Sequence, residues 1–163
     1  NGVAKAFAMT GWRIGYIGAP EWIAKACNKM QGQITSGANS IAQRATIAAL
    51  DASPEKIKYM VDEFKKRRTI ILRLLSKIQG VKTNIPEGSF YVFPDISSFF
   101  GKTIKNKKIN DSNDFALLLL EKAHVATVAG EPFGNPNCIR ISYAASIKDI
   151  ERAIERIKIV LKE

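Results

Sequence analysis

The chain has 163 residues, of which 46% are hydrophobic and 25% charged, enough apolar material for an ordinary core and too much for a disordered or fibrous protein. Its 25 Lys and Arg against 15 acids give a formal charge of +10, but the excess is dispersed over amphipathic segments and no stacking or zinc-finger pattern accompanies it, so it excludes nothing and does not point to nucleic acid. No run approaches the roughly 20 apolar residues of a membrane span. His124 is the sole histidine, which excludes a His-rich metal site, and Cys27 and Cys138, far apart in apolar segments, are expected as reduced core thiols of a cytoplasmic protein.

In chain order, residues 14–18 (Ile-Gly-Tyr-Ile-Gly) read as a short strand stopped by Gly18 and Pro20. Pro20 and Glu21 open a helix through Met30, with Trp22, Ile23, Ala26, Cys27 and Met30 on one face. The cluster 35–40 is a turn whose Asn39 or Ser40 caps a helix through Leu50. Ser53-Pro54-Glu55 starts a long helix to about Gln79, ended by Gly80. Short strands follow: Val81-Lys82-Thr83, then, past the turn Pro86-Glu87-Gly88, the aromatic run Ser89–Phe93. Residues 95–110 read as a loop with a basic tip at Lys105-Asn106-Lys107-Lys108. Asp111 or Ser112 caps a helix to Ala123, with His124 at its end or at the start of strand 125–128. Residues 130–134 form a turn, Ile139–Tyr143 the last strand, and Ser146 begins a terminal helix with Ile150, Ala153, Ile154, Ile157 and Leu161 inward. Helices alternate with strands, so the class is mixed α and β.

Chemistry concentrates at two places. Lys5 stands among small and apolar residues, Gly2-Val3-Ala4 and Ala6-Phe7-Ala8-Met9, where poor hydration of an ammonium favours the amine that attacks a carbonyl. Eight positions on, Arg13 offers a rigid five-donor fork suited to a phosphate dianion, and Gly2, Ala4, Gly11 and Gly15 allow close approach. A Schiff-base lysine with a phosphate-binding arginine describes pyridoxal phosphate, whereas a solvated surface lysine beside a buried turn is the plain alternative. In Ile139-Arg140-Ile141-Ser142, period-two alternation sets Arg140 and Ser142 on the face opposite the isoleucines. Such an arginine either is solvated at a sheet edge or holds a carboxylate bidentately.

The order Gly2-Val3-Ala4-Lys5, Ala8-Met9, Gly11, Arg13-Ile14-Gly15 resembles the lysine-attachment signature of class I aminotransferases, and the string Lys5 to Tyr16 is similar to the bacterial branch with many aspartate aminotransferases. The resemblance implies the C-terminal part of a pyridoxal-phosphate-dependent transferase fold, helices on a small, mostly antiparallel sheet. Residues 1–52 would end the large cofactor domain, and residues 53–163, with the bridging helix 54–79, would form the small one. It implies Lys5 as nucleophile and cofactor anchor, Arg13 at the phosphate, and Arg140 at the substrate α-carboxylate beside the aromatic strand of Phe90 and Tyr91. It further implies an amino acid, aspartate by preference, and a 2-oxo acid as substrates in a ping-pong reaction, a homodimer with the turn at 35–40 near its interface, and no metal, nucleic acid or membrane. A longer subunit would supply the acidic partner of the pyridine nitrogen, and the chain alone is expected to be inactive. A different class, an effector-sensing aminotransferase-like module without catalysis, stays open.

Overall fold

The computed structural model describes residues 1–162, which fall into two compact units, the first Asn1–Val61 and the second beginning at Asp62. The first unit is helical. A single turn, α1 (Val3–Ala6), follows extended Gly2, and a 3-10 turn covers Thr10–Trp12. α2 (Glu21–Ile34) begins after Pro20 with an acid in its first turn, where it complements the helix dipole. α3 (Ser40–Leu50) is capped by Asn39, whose Oδ1 accepts from the Ala42 amide at 3.1 Å. The strand expected at 14–18 does not form. Among the described residues only Tyr16 of this stretch pairs, exchanging backbone bonds with Asn1 at 3.0 and 2.8 Å, and two glycines in five residues leave too little side chain to hold a ladder. α2 is longer than expected, and its apolar face is open within this chain: Trp22, Met30 and Ile34 are all exposed, and so is Cys27, expected in a core.

Ser53 caps the next helix as anticipated, its Oγ accepting from the Glu55 amide at 3.4 Å, but residues Pro54–Ile57 form a 3-10 turn before α4 (Lys58–Leu75). The predicted end at Gln79 is replaced by i→i−3 bonds from Lys77 to Leu74 and Ile78 to Leu75, which tighten the last turn. Gly80, at φ +88°, then reverses the chain, a conformation that other residues adopt at a cost.

The second unit holds one continuous core. Its strands are β1 (Tyr91–Val92), β2 (Thr103–Ile104), β3 (Lys107–Lys108), β4 (Val128–Ala129) and β5 (Ile139–Ser142). Three of them form an antiparallel sheet of order β1-β5-β4, with Tyr91 opposite Ser142 and Val128 opposite Arg140. Alternation along β5 buries Ile139 and Ile141 and leaves Arg140 half-buried on the other face, as its sequence pattern requires. α4 contributes Ile71 and Leu75 to the core. α5 (Ser112–Leu118) contributes Phe115 and Leu118. The terminal helix α6 (Ile147–Leu161) lays Ile150, Ile154 and Ile157 on the core, each worth about 1.5–3 kcal/mol of burial. Ser146 caps α6 reciprocally with Asp149.

Two local features differ from the sequence reading. The stretch 95–110 is no plain loop: it carries a 3-10 turn at Ser97–Phe99 and the hairpin β2–β3. Lys105 and Asn106 take φ of 48° and 65°, the conformation of a two-residue hairpin turn, while buried Ile104 and Ile109 anchor the flanks. α5 runs on into a π-helical turn, Leu119–Ala123, closed by His124 at φ 52° and by the Val125 amide reaching the Leu119 carbonyl at 3.1 Å. Its left-handed conformation after the last helical turn makes His124 a helix-end residue. Among the described residues, no helix is long and apolar enough to cross a membrane, and no cluster of three potential metal ligands occurs.

The Ser97–Phe99 turn is tied by Asp95, whose Oδ1 accepts from the Ser97 hydroxyl at 2.6 Å and the Ser97 amide at 2.8 Å. These bonds hold its carboxyl below the ordinary carboxylate value, with Lys82 adding a smaller attraction. A depressed folded value means stability that is present above the ordinary carboxylate range and lost as pH falls through the folded value. Thermal melts against pH should therefore show a steeper acid-side loss for the parent chain than for Asp95→Asn. Identical acid limbs would remove this role from Asp95.

Candidate active site

The lysine segment closes on itself. The Asn1–Tyr16 backbone exchange brings its two ends together, and a Cβ built on Gly15 would stand 3.3 Å from the Asn1 carbonyl oxygen, tighter than ordinary contact. Glycine lets the ends approach, and the loop between them carries both Lys5 and Arg13. Lys5 lies in the single turn α1 and its side chain is exposed. Its near neighbours in sequence do not cover it: Ala4 and Ala6 are too short to reach an amine on a four-carbon stem, while Val3 turns inward and is fully buried. Arg13 ends the 3-10 turn in a left-handed conformation, φ 51°, and its Nη1 donates to the Thr10 carbonyl at 2.8 Å. That bond consumes one donor and orients the fork. Among the described residues no carboxylate pairs with Arg13.

Arg140 belongs to the second unit, and its setting is aromatic. Its guanidinium carbon lies 4.4 Å from the ring centre of Tyr91 and 4.2 Å from that of Phe133. Among the described residues it makes no hydrogen bond and no ion pair. A half-buried guanidinium between two rings has lost part of its hydration without gaining a counter-ion, which leaves its donor edge to an external acceptor. A planar carboxylate matches that edge bidentately. Phe90 packs elsewhere, 6.1 Å from Phe64 and 4.4 Å from Tyr91, and Phe64 in turn lies 6.2 Å from buried Tyr143. The Tyr143 hydroxyl donates to the Ser89 carbonyl at 2.9 Å, pinning the start of the aromatic strand; burial pushes this phenol above its ordinary value.

Phe133 escapes sequence reasoning. It sits in the stretch that reads only as a turn, and its one signal is a large apolar residue next to a glycine where a polar one would serve. The structure shows why the turn is tight. Gly130 has an unremarkable φ of −81°, yet a Cβ there would fall 2.2 Å from the Asn135 carbonyl oxygen and 2.4 Å from that of Cys138. The Phe133 amide donates to the Gly130 carbonyl at 2.9 Å, and the ring meets Phe93 edge-on at 6.3 Å. So Lys5 and Arg13 share one closed loop, and Arg140, Tyr91 and Phe133 share one cluster.

The model for aminotransferase class I and II matches residues 1–157. The chain belongs to the class I and II aminotransferases. Among its relatives, this aminotransferase chain is 49% identical over 162 residues to the bifunctional aspartate aminotransferase and glutamate/aspartate-prephenate aminotransferase of Petunia hybrida, covering 97% of this chain and 34% of that protein. It is 46% identical to the aspartate aminotransferase of Pinus pinaster over 97% of this chain and 33% of that one. The crystal structure of the aspartate aminotransferase from Rhizobium meliloti superposes with a TM-score of 0.92 at 42% identity, covering 98% of this chain and 40% of that one. The chain therefore spans a third to two fifths of the length of these relatives, and its mixed helix and antiparallel-sheet architecture is that of aminotransferase structures.

Proposed function

We propose that this chain forms the C-terminal portion of a pyridoxal-phosphate-dependent aminotransferase that exchanges an amino group between an L-amino acid, aspartate by preference, and a 2-oxo acid. The reading rests on family membership, and the observation that carries it to particular residues is the donor set: one primary amine and one guanidinium on a single closed loop, and an arginine without a counter-ion between two rings. An aldehyde and a phosphate dianion are the groups that an amine and a fork of N–H donors take, so the residues present fit this cofactor. When bound, it supplies a carbonyl for the amine and a sink for electrons released at the substrate carbon. Lys5 Nζ is the nucleophile toward that carbonyl and afterwards, as a free amine, carries the proton at the amino acid's α-carbon. Arg13 neutralises and orients the phosphate. Arg140 takes the α-carboxylate in the plane of its fork, which fixes the α-carbon relative to the reacting amine.

Aspartate is favoured because the relatives named above are aspartate aminotransferases. Residues 1–52 serve as the end of the cofactor domain and 53–163 as the small domain of a cytoplasmic homodimer. Incubation of the chain with pyridoxal phosphate, borohydride reduction and peptide mass spectrometry tests the anchor. Label concentrated on Lys5 is expected; label spread over the surface lysines with no preference for Lys5 would overturn the assignment.

A further inference from the structure

The carboxylate reading of Arg140 leaves open what holds an unpaired arginine in one plane. A guanidinium on a flexible stem, with no hydrogen bond and no ion pair among the described residues, would sample many rotamers. Here it lies between Tyr91 and Phe133 at 4.4 and 4.2 Å. The two rings differ in how they are themselves held. Tyr91 is part of β1, in register with Ser142 on β5 and packed on Phe90, so the sheet places it whatever Arg140 does. Phe133 lies outside the sheet, at the end of a short 3-10 turn, Glu131–Phe133. Its place comes from the Gly130 turn, from the amide bond back to Gly130, and from edge contact with Phe93 at 90°. Yet 46% of Phe133 is exposed, too much for a residue kept mainly to fill a core.

We infer that Phe133 is a positioning residue: its ring closes the open side of the Arg140 guanidinium and confines incoming ligands to the donor edge, where only a planar acceptor such as a carboxylate pairs bidentately. This rests on the carboxylate role of Arg140 and adds the device that orients it. Ring faces attract a cation at about 0.5–2 kcal/mol, so a ring exchanged for an aliphatic side chain should weaken carboxylate binding about twofold to thirtyfold.

The test compares Phe133→Leu, Phe133→Tyr and Arg140→Ala in a polypeptide of the relatives' length that contains this chain, with the steady-state KM and kcat for aspartate as readout. Phe133→Leu should raise KM within the stated range while kcat falls by less, because the carboxylate is held alike before and during reaction. Phe133→Tyr, which keeps the ring, should restore the parent KM. A raised KM in Arg140→Ala with none in Phe133→Leu would overturn the inference alone. Equal impairment in Phe133→Leu and Phe133→Tyr would overturn it too, since shape rather than ring electrons would then matter. No change in any variant would bring down the carboxylate role of Arg140 first, and the inference with it. Proton spectra of the 163-residue chain read the contact without activity. The Arg140 side-chain resonances should lose ring-current shift in Phe133→Leu, and their constancy would show that the ring does not lie over the fork in solution.

Discussion

Lys5→Ala, in a polypeptide of the relatives' length containing this chain, should reduce amino-group transfer by about a thousandfold or more. The proposed role gives Lys5 two tasks, nucleophile and proton carrier, and a positioned acid–base group by itself contributes about 10²–10⁴ in rate. Release of 2-oxo acid from aspartate in a single turnover is the measurement. Lys5→Arg separates chemistry from charge: it keeps the cation but cannot act as an amine near neutral pH, so it should be as impaired as the alanine variant. Transfer retained by either variant would end the assignment. Lys5 is exposed in this chain, so its replacement should leave the fold intact and a lost activity would report on chemistry.

Gly130→Ala should be the most damaging glycine substitution in the second unit. The obstacle is space, since φ is −81° and any residue adopts it, while a Cβ would lie 2.2 and 2.4 Å from two backbone carbonyl oxygens. Backbone atoms cannot rotate away, so the 131–138 turn must shift, at about 2–3 kcal/mol for an overpacked site. For a unit of this size that lowers Tm by roughly 10–20 °C. Gly134→Ala is the contrasting control. Gly134 has φ +84° but open space where a Cβ would go, so only the left-handed conformation is penalised, about 1 kcal/mol. Melting curves in which Gly130→Ala is no worse than Gly134→Ala would show that the turn yields. Because this turn carries Phe133, the variant should also loosen the ring over Arg140.

Most of the framework was legible in the residues themselves. The caps at Asn39, Ser53, Asp111 and Ser146 mark helix starts because a short polar side chain satisfies an amide two or three positions on, an interaction complete within one turn of chain. The face of α6 and the alternation of β5 are likewise periodic properties of contiguous residues, and so Arg140 could be set on its sheet face without a structure. The order of small residues around Lys5 and Arg13 carried the family. The strand expected at 14–18 failed for the converse reason: alternation suggests a strand, but only a partner makes one, and among the described residues that region has a single backbone pair, to Asn1. The hairpin at 103–108 was hidden because its polar strands are specified by Ile104 and Ile109 reaching a core built from other segments.

What the sequence by itself determined about this protein is therefore most of its local elements, its family, and the chemical type of each candidate group: one amine and two guanidinium forks. Only the tertiary structure decided the company those groups keep. Phe133 stands over Arg140 because a turn closes around Gly130 where two carbonyls leave no room for a side chain, and Lys5 is exposed because the apolar residues beside it turn inward or are too short to cover it. Both depend on distances between atoms remote along the chain, and no spacing rule encodes them, since burial and stacking are properties of the surface that meets a residue and not of its neighbours in sequence.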